Sequence, residues 1–109
     1  MGGTWEALTD ATRRTIVEHL AREELTAGEV AALFDAARPG ISRHLRVLRE
    51  AGVVESQAVG QRRVYRLVPG AVDEVEQWCR DVRSFWGQRL DALDTEITRG
   101  ARARRQEQG

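Results

Sequence analysis

Residues 38–68 read RPGISRHLRVLREAGVVESQAVGQRRVYRLV, and the change of period inside this stretch decides the fold. Ile41, Leu45 and Leu48 recur at helical spacing, so they share one face of a helix. Ser42, Arg43, Arg46 and Arg49 then occupy the other faces. Pro39 suits the first turn, where its missing N–H leaves nothing unpaired, and Gly52 supplies the stop. Val53 to Val59 and Arg62 to Val68 are β-rich runs, and Gly60-Gln61 between them is a hairpin signal. Alternation leaves open which residues of each run face the core.

Upstream, Trp5 to Leu8 reads as a short helical lead-in, with Thr9 or Asp10 as the N-cap of a helix over 11–22. In that helix Ile16, Val17 and Leu20 form the apolar stripe, with Arg13, Arg14 and Glu18 turned outward. Thr26 and Glu29 have the spacing of a capping box and start a second helix ending near Phe34. Asp35 to Ala37 make a tight connection to the third. Downstream, Pro69 is expected to open a long helix reaching about Ile97, with residues 99–109 a frayed polar tail. The fold class is therefore mainly α with a small β-hairpin, a winged helix-turn-helix with a long C-terminal helix. Residues 1–98 are taken as one domain.

The chain has 109 residues, 41% hydrophobic and 31% charged, which fits a globular domain with one modest core. No run is apolar enough to span a bilayer, and no signal-peptide pattern opens the sequence, so a cytoplasmic protein without membrane contact is expected. The single cysteine, Cys79, excludes an internal disulfide.

The formal net charge is zero, but its distribution is not even. Residues 1–37 carry three Arg against seven acids, and residues 67–96 repeat that ratio. Residues 38–66 carry seven Arg against two Glu, a local excess of five positive charges. Such a patch suits a phosphate backbone. Every basic residue is Arg, whose fork can grip phosphate or a guanine edge. On the third helix the candidate DNA contacts are Arg38, Gly40, Ser42, Arg43, His44 and Arg46. Gln61, Arg62 and Arg63 at the hairpin tip are placed to meet an adjacent minor groove or its phosphates. Taken singly, each has a plainer reading as a solvated basic face or a protected sheet edge. Their joint occurrence in this order favours nucleic acid.

Two stretches carry a family resemblance. LTDATRRTIVEHLAREELTAGEVAALF (8–34) resembles the opening of the ArsR family, including its Asp-x-x-Arg-Arg helix start. ISRHLRVLREAGVVESQAVGQRRVYRL (41–67) is similar to that family's recognition helix and wing. The resemblance implies a dimeric repressor that binds a pseudo-palindromic operator and leaves it on a signal. Two positions depart from the pattern. Ala37 stands where a Ser N-cap is usual, and Gly40 where Ala or a small β-branched residue is common.

The family's metal-binding motifs are missing. ELTAGE (24–29) puts Thr26 and Gly28 where the second-helix thiolates would stand, and neither can ligate a soft metal. Neither His19 nor His44 falls on the last helix, where the alternative site would need imidazoles. No metal and no cofactor are expected. SFWGQRLDALD (84–94) resembles a branch of the family without metal sites.

Val75, Cys79, Val82, Trp86, Leu90 and Leu93 follow three- and four-residue steps along the last helix. That stripe outreaches so small a domain, so it is expected to pair two chains, with Trp5 in the same interface. Cys79 reads as a small hydrophobe or as a redox contact across the seam. The aromatic excess of Trp78, Phe85 and Trp86 leaves open an apolar pocket for a small-molecule effector. The expected function is that of a homodimeric DNA-binding transcriptional regulator. The alternative is a winged-helix protein-interaction module. No nucleophile triad, phosphate loop or carboxylate pair points to an enzyme.

Overall fold

In a computed structural model, residues 3–35 and 38–108 are described, the side chains of residues 38 and 102–108 excepted. The expected N-cap position Ala37, and with it most of the connection 35–37, lies outside the described residues. The chain divides into two compact units at Asp73, where the sequence suggests one domain over 1–98.

The first unit runs α1 (Thr4–Ala7), α2 (Ala11–Leu20), β1 (Leu25–Thr26), α3 (Ala27–Leu33), α4 (Arg38–Glu50), β2 (Val54–Val59) and β3 (Arg62–Leu67). The starts of α2 and α3 have local causes. The Asp10 carboxylate accepts from the Arg13 backbone N–H, capping α2. Thr26 and Glu29 complete the capping box reciprocally, Thr26 N–H donating to Glu29 Oε1 at 2.9 Å and Glu29 N–H to Thr26 Oγ1 at 3.2 Å. After α3, Asp35 adopts φ 48, the left-handed turn that an aspartate tolerates at a helix end.

At the end of α4, Gly52 N–H donates to Arg49 O and Val53 N–H to Leu48 O, each at 3.0 Å. Gly52 sits at φ +77, and a Cβ there would meet nothing within 4 Å. The cost of a side chain is therefore backbone strain alone, about 1–2 kcal/mol. Gly52→Ala is expected to lower the Tm by roughly 5–10 °C in a domain of this size. Thermal circular dichroism checks this; a fall of under about 2 °C would show that the turn has another accessible geometry.

β1 pairs with β3 through Leu25↔Tyr65 and Thr26↔Val64, and β3 with β2 from Val54↔Leu67 to Val59↔Arg62, giving the antiparallel order β1-β3-β2. The two-residue strand β1 has no signature in the sequence because its pairing is entirely long-range. The register resolves the alternation. Buried Val54 shares its face with Leu67, and the next pair on that face is Ser56↔Tyr65. Ile16, Leu20, Val30, Ile41, Leu45, Leu48, Val53 and Val54 form the core, so α4 is fixed on one whole side.

Asp10 and Glu29 both hold their carboxyls below the ordinary range. For Asp10 the main cause is the Arg13 backbone N–H, helped by the Arg13 charge. For Glu29 it is the Thr26 backbone N–H, then the Thr26 hydroxyl and the Arg62 charge. A carboxyl with a depressed folded pKa binds fewer protons than in the unfolded chain, so its contribution is complete above the unfolded value. With unfolded values near 3.9 and 4.3, the Tm should be level above about pH 5 and fall below about pH 4. Replacing Asp10 and Thr26 with alanine should lower the plateau and flatten that acid decline in a Tm–pH series; an unchanged slope would assign it to other carboxylates.

The second unit is α5 (Asp73–Gln108). The sequence signals place its start at Pro69 and its end near Ile97. It starts later because Gly70, at φ +79, turns the chain, with Ala71 N–H bonded to Val68 O and Asp73 N–H to Gly70 O. Its helical backbone extends to Gln108, across good helix formers in ARARRQEQ. No described helix is long and apolar enough to cross a membrane.

Candidate nucleic-acid interface

Burial of Ile41, Leu45 and Leu48 turns one face of α4 to the core. Gly40, Ser42, Arg43, Arg46 and Arg49 are therefore on its outer side. The side chain of Arg38 is outside the described residues. Two adjoining cavities follow this side. One, of about 450 Å³, is lined by Pro39, Ser42, Arg43, Arg46, Arg49 and Tyr65. The other, of about 430 Å³, joins Ser42 and Tyr65 to the start of α3 and to Gln61, Arg62 and Arg63 of the hairpin. Helix and wing thus share one groove, and among the described residues no carboxylate lines either part of it.

Six groove residues, Thr26, Ala27, Gly28, Pro39, Arg49 and Tyr65, are not among the DNA contacts expected from the sequence, and of these Arg49 and Tyr65 bring the long polar side chains. Arg49 was within reach, since it follows Arg46 by three and Ser42 by seven on the same helix. Tyr65 was not, because its place in the groove depends on its pairing with Ser56 and Leu25.

The arginines of the basic segment are not equivalent. Arg66 Nε donates to Glu55 Oε1 at 2.6 Å, and its Nη1 lies 3.9 Å from Glu24. It is thereby tied to neighbouring carboxylates outside the groove. Arg63 Nη1 donates to Ser56 Oγ at 3.0 Å, a neutral partner that leaves its charge uncompensated. Arg62 acts on Glu29 through its field. His44, expected among the DNA contacts, is half-buried and directed at α2: its Nδ1 is 3.3 Å from Arg13 Nη1 and 4.0 Å from Asp10 Oδ1.

The family's thiolate positions are put to another use here. Thr26 commits its hydroxyl to the α3 cap, and Gly28 has no ligating atom. Among the described residues no three His, Cys, Asp or Glu side chains converge on a metal position. On α5, Cys79, Val82, Trp86, Leu90 and Leu93 follow one stripe, Cys79 and the large apolar four exposed, with Val75 half-buried at its start. Trp5 on α1 is 41% exposed.

Comparison with known proteins agrees with this fold. Residues 8–57 match a helix-turn-helix domain family. The chain is 42% identical to the HTH-type transcriptional regulator Rv2034 of Mycobacterium tuberculosis, over 79% of this chain and 78% of that one. The crystal structure of the ArsR family transcriptional regulator RHA00566 superposes with a TM-score of 0.68 at 29% identity, covering 78% of this chain and 88% of the other. The homodimeric winged helix-turn-helix DNA-binding domain Mb0332 from Mycobacterium bovis, solved in solution by NMR, gives 0.62 at 25% identity over 74% and 75%. The chain belongs to the ArsR family of winged helix-turn-helix transcriptional regulators.

Proposed function

We propose that this protein is a cytoplasmic homodimeric repressor that reads a pseudo-palindromic operator. In this reading α4 enters the major groove, and Ser42, Arg43 and Arg46 contact base edges and flanking phosphates. The exposed Gly40, where a Cβ would meet nothing within 4 Å, lets a phosphate approach the first turn closely. Arg38 adds charge at the same end. Gln61, Arg62 and Arg63 hold the neighbouring backbone or minor groove from the wing. The stripe Val75, Cys79, Val82, Trp86, Leu90 and Leu93, together with Trp5, pairs the two chains. An apolar effector is compatible with the surplus of exposed aromatics on α5, and no metal enters the mechanism. Repression follows from occupancy, since a dimer across two half-sites excludes other proteins from that DNA.

The observation that carries this reading is the shared groove: five arginines and no carboxylate among its described lining residues, along the outer side of a helix whose other side is fixed in the core. Selection from a random duplex pool tests it. The expected result is a palindrome with half-sites about one helical turn apart, bound with an affinity that falls steeply with salt as counterions are released. Failure to enrich any motif, with salt-insensitive binding to protein partners, would favour an interaction module.

A further inference from the structure

The Asp-x-x-Arg-Arg start of α2 lies outside the proposed groove, yet its side chains are densely bonded. α1 is only four residues long: Thr4 O and Glu6 O accept from the Leu8 and Thr9 N–H groups, and the next carbonyls, of Ala7 and Leu8, are met by side chains. Arg13 and Arg14 both fold back to reach these carbonyls. Arg13 Nε donates to Ala7 O at 2.6 Å and its Nη2 reaches Glu6 O at 3.4 Å, while Arg14 Nη1 donates to Leu8 O at 2.8 Å. Asp10 holds the Arg13 backbone N–H at 3.0 Å. The remaining arm of the Arg13 fork, Nη1, is 3.3 Å from Nδ1 of His44 on α4.

The ring nitrogen has two claimants. Asp10 Oδ1 at 4.0 Å would need Nδ1 to donate, whereas Arg13 can only donate and needs it to accept. The shorter contact to an obligate donor assigns Nδ1 as the acceptor. Arg13 thus ties the end of α1, the start of α2 and the middle of α4 into one bonded unit. His44 follows Arg43 directly and precedes Arg46 by two.

We infer that Arg13 is a positioning residue for DNA reading, setting the roll of the recognition helix through His44 without touching DNA itself. This rests on the groove assignment above. The core residues Ile41, Leu45 and Leu48 fix which face of α4 is buried, and the Arg13–His44 contact adds a directional restraint on the small rotations that remain. Arginine tips stand about 6 Å or more from the helix axis, so a roll of about 10° moves them by about 1 Å. That is enough to spoil a bidentate contact to a base edge, while a flexible arginine still finds a phosphate.

The test uses the full-length protein, the duplex it enriches from a random pool, and a scrambled duplex of equal length. Arg13→Ala is expected to lower affinity for the selected duplex about tenfold, with scrambled-duplex affinity and the salt slope unchanged. His44→Ala should match it, His44→Gln, which keeps an acceptor, should recover most of the affinity, and the double alanine variant should be no worse than either single one. A salt slope reduced by about one would overturn the inference, because it would mark Arg13 as a phosphate ligand in its own right. An unchanged ratio of selected to scrambled affinity would also overturn it. If Arg13→Ala does not fold, the two His44 variants carry the same comparison. Failure of the wild-type protein to enrich any duplex would instead remove the groove assignment beneath.

Discussion

Replacing Arg43 and Arg46 together with alanine is expected to abolish operator binding while leaving the fold and the oligomeric state intact. Both side chains stand on the outer side of α4 and line the groove, away from the buried stripe that holds the helix to the domain. Alanine is a better helix former than arginine by a small margin, so the helix itself is not weakened. On DNA the balance differs. Each arginine in direct base or phosphate contact contributes about 1–3 kcal/mol, so the pair amounts to roughly a hundredfold or more in affinity per half-site. The salt slope should also flatten, by about one for each phosphate no longer neutralised. Mobility-shift titrations at several salt concentrations measure both quantities, with circular dichroism and sedimentation as controls. Retained affinity would refute the assignment of α4 as the reading helix. By contrast Arg66→Ala should change binding little, because its charge is already engaged by Glu55 and Glu24.

That contrast marks where the sequence is legible and where it is not. The core face of α4 follows from Ile41, Leu45 and Leu48 because helical period is a local property. The Thr26–Glu29 cap and the Gly60-Gln61 turn are likewise local, and each is present. A count of arginines over 38–66 cannot show that Arg66 is neutralised across strands, nor that Arg63 leans on Ser56. His44 groups with the DNA contacts by its place in the sequence. Its direction depends on Asp10 and Arg13, which stand far earlier in the chain. Tyr65 is hidden for the same reason. The limits of α5 escape at both ends, at one through the left-handed turn of Gly70 and at the other because a polar, helix-forming tail has no apolar period to follow.

Glutamate at both Trp86 and Leu90 is expected to turn the proposed dimer into monomers. These residues are 58% and 47% exposed on α5, in line with Val82 at 45% and Leu93 at 45%. A run of apolar side chains on one helix stripe is costly in water, at about 25 cal/mol for each Å² left exposed. A two-fold interface would bury each residue twice, so a change at one position acts at two places. Removing a tryptophan and a leucine from each chain forfeits several kcal/mol, and the introduced carboxylates would then repel within an apolar seam. A rise of at least about a thousandfold in the dimer Kd follows. Since α5 forms its own unit and the reading groove belongs to the first, α4 and the wing should remain folded in the variant. DNA affinity should nevertheless collapse, because a monomer engages a single half-site and forgoes the second, tethered one. Sedimentation velocity and operator titration on the same samples separate the two effects. Monomers that still bound the full palindrome at wild-type affinity would mean that one chain suffices for reading. A variant that stayed dimeric would place the seam off this stripe, with the flanking Trp78 and Phe85 as the next surface to change.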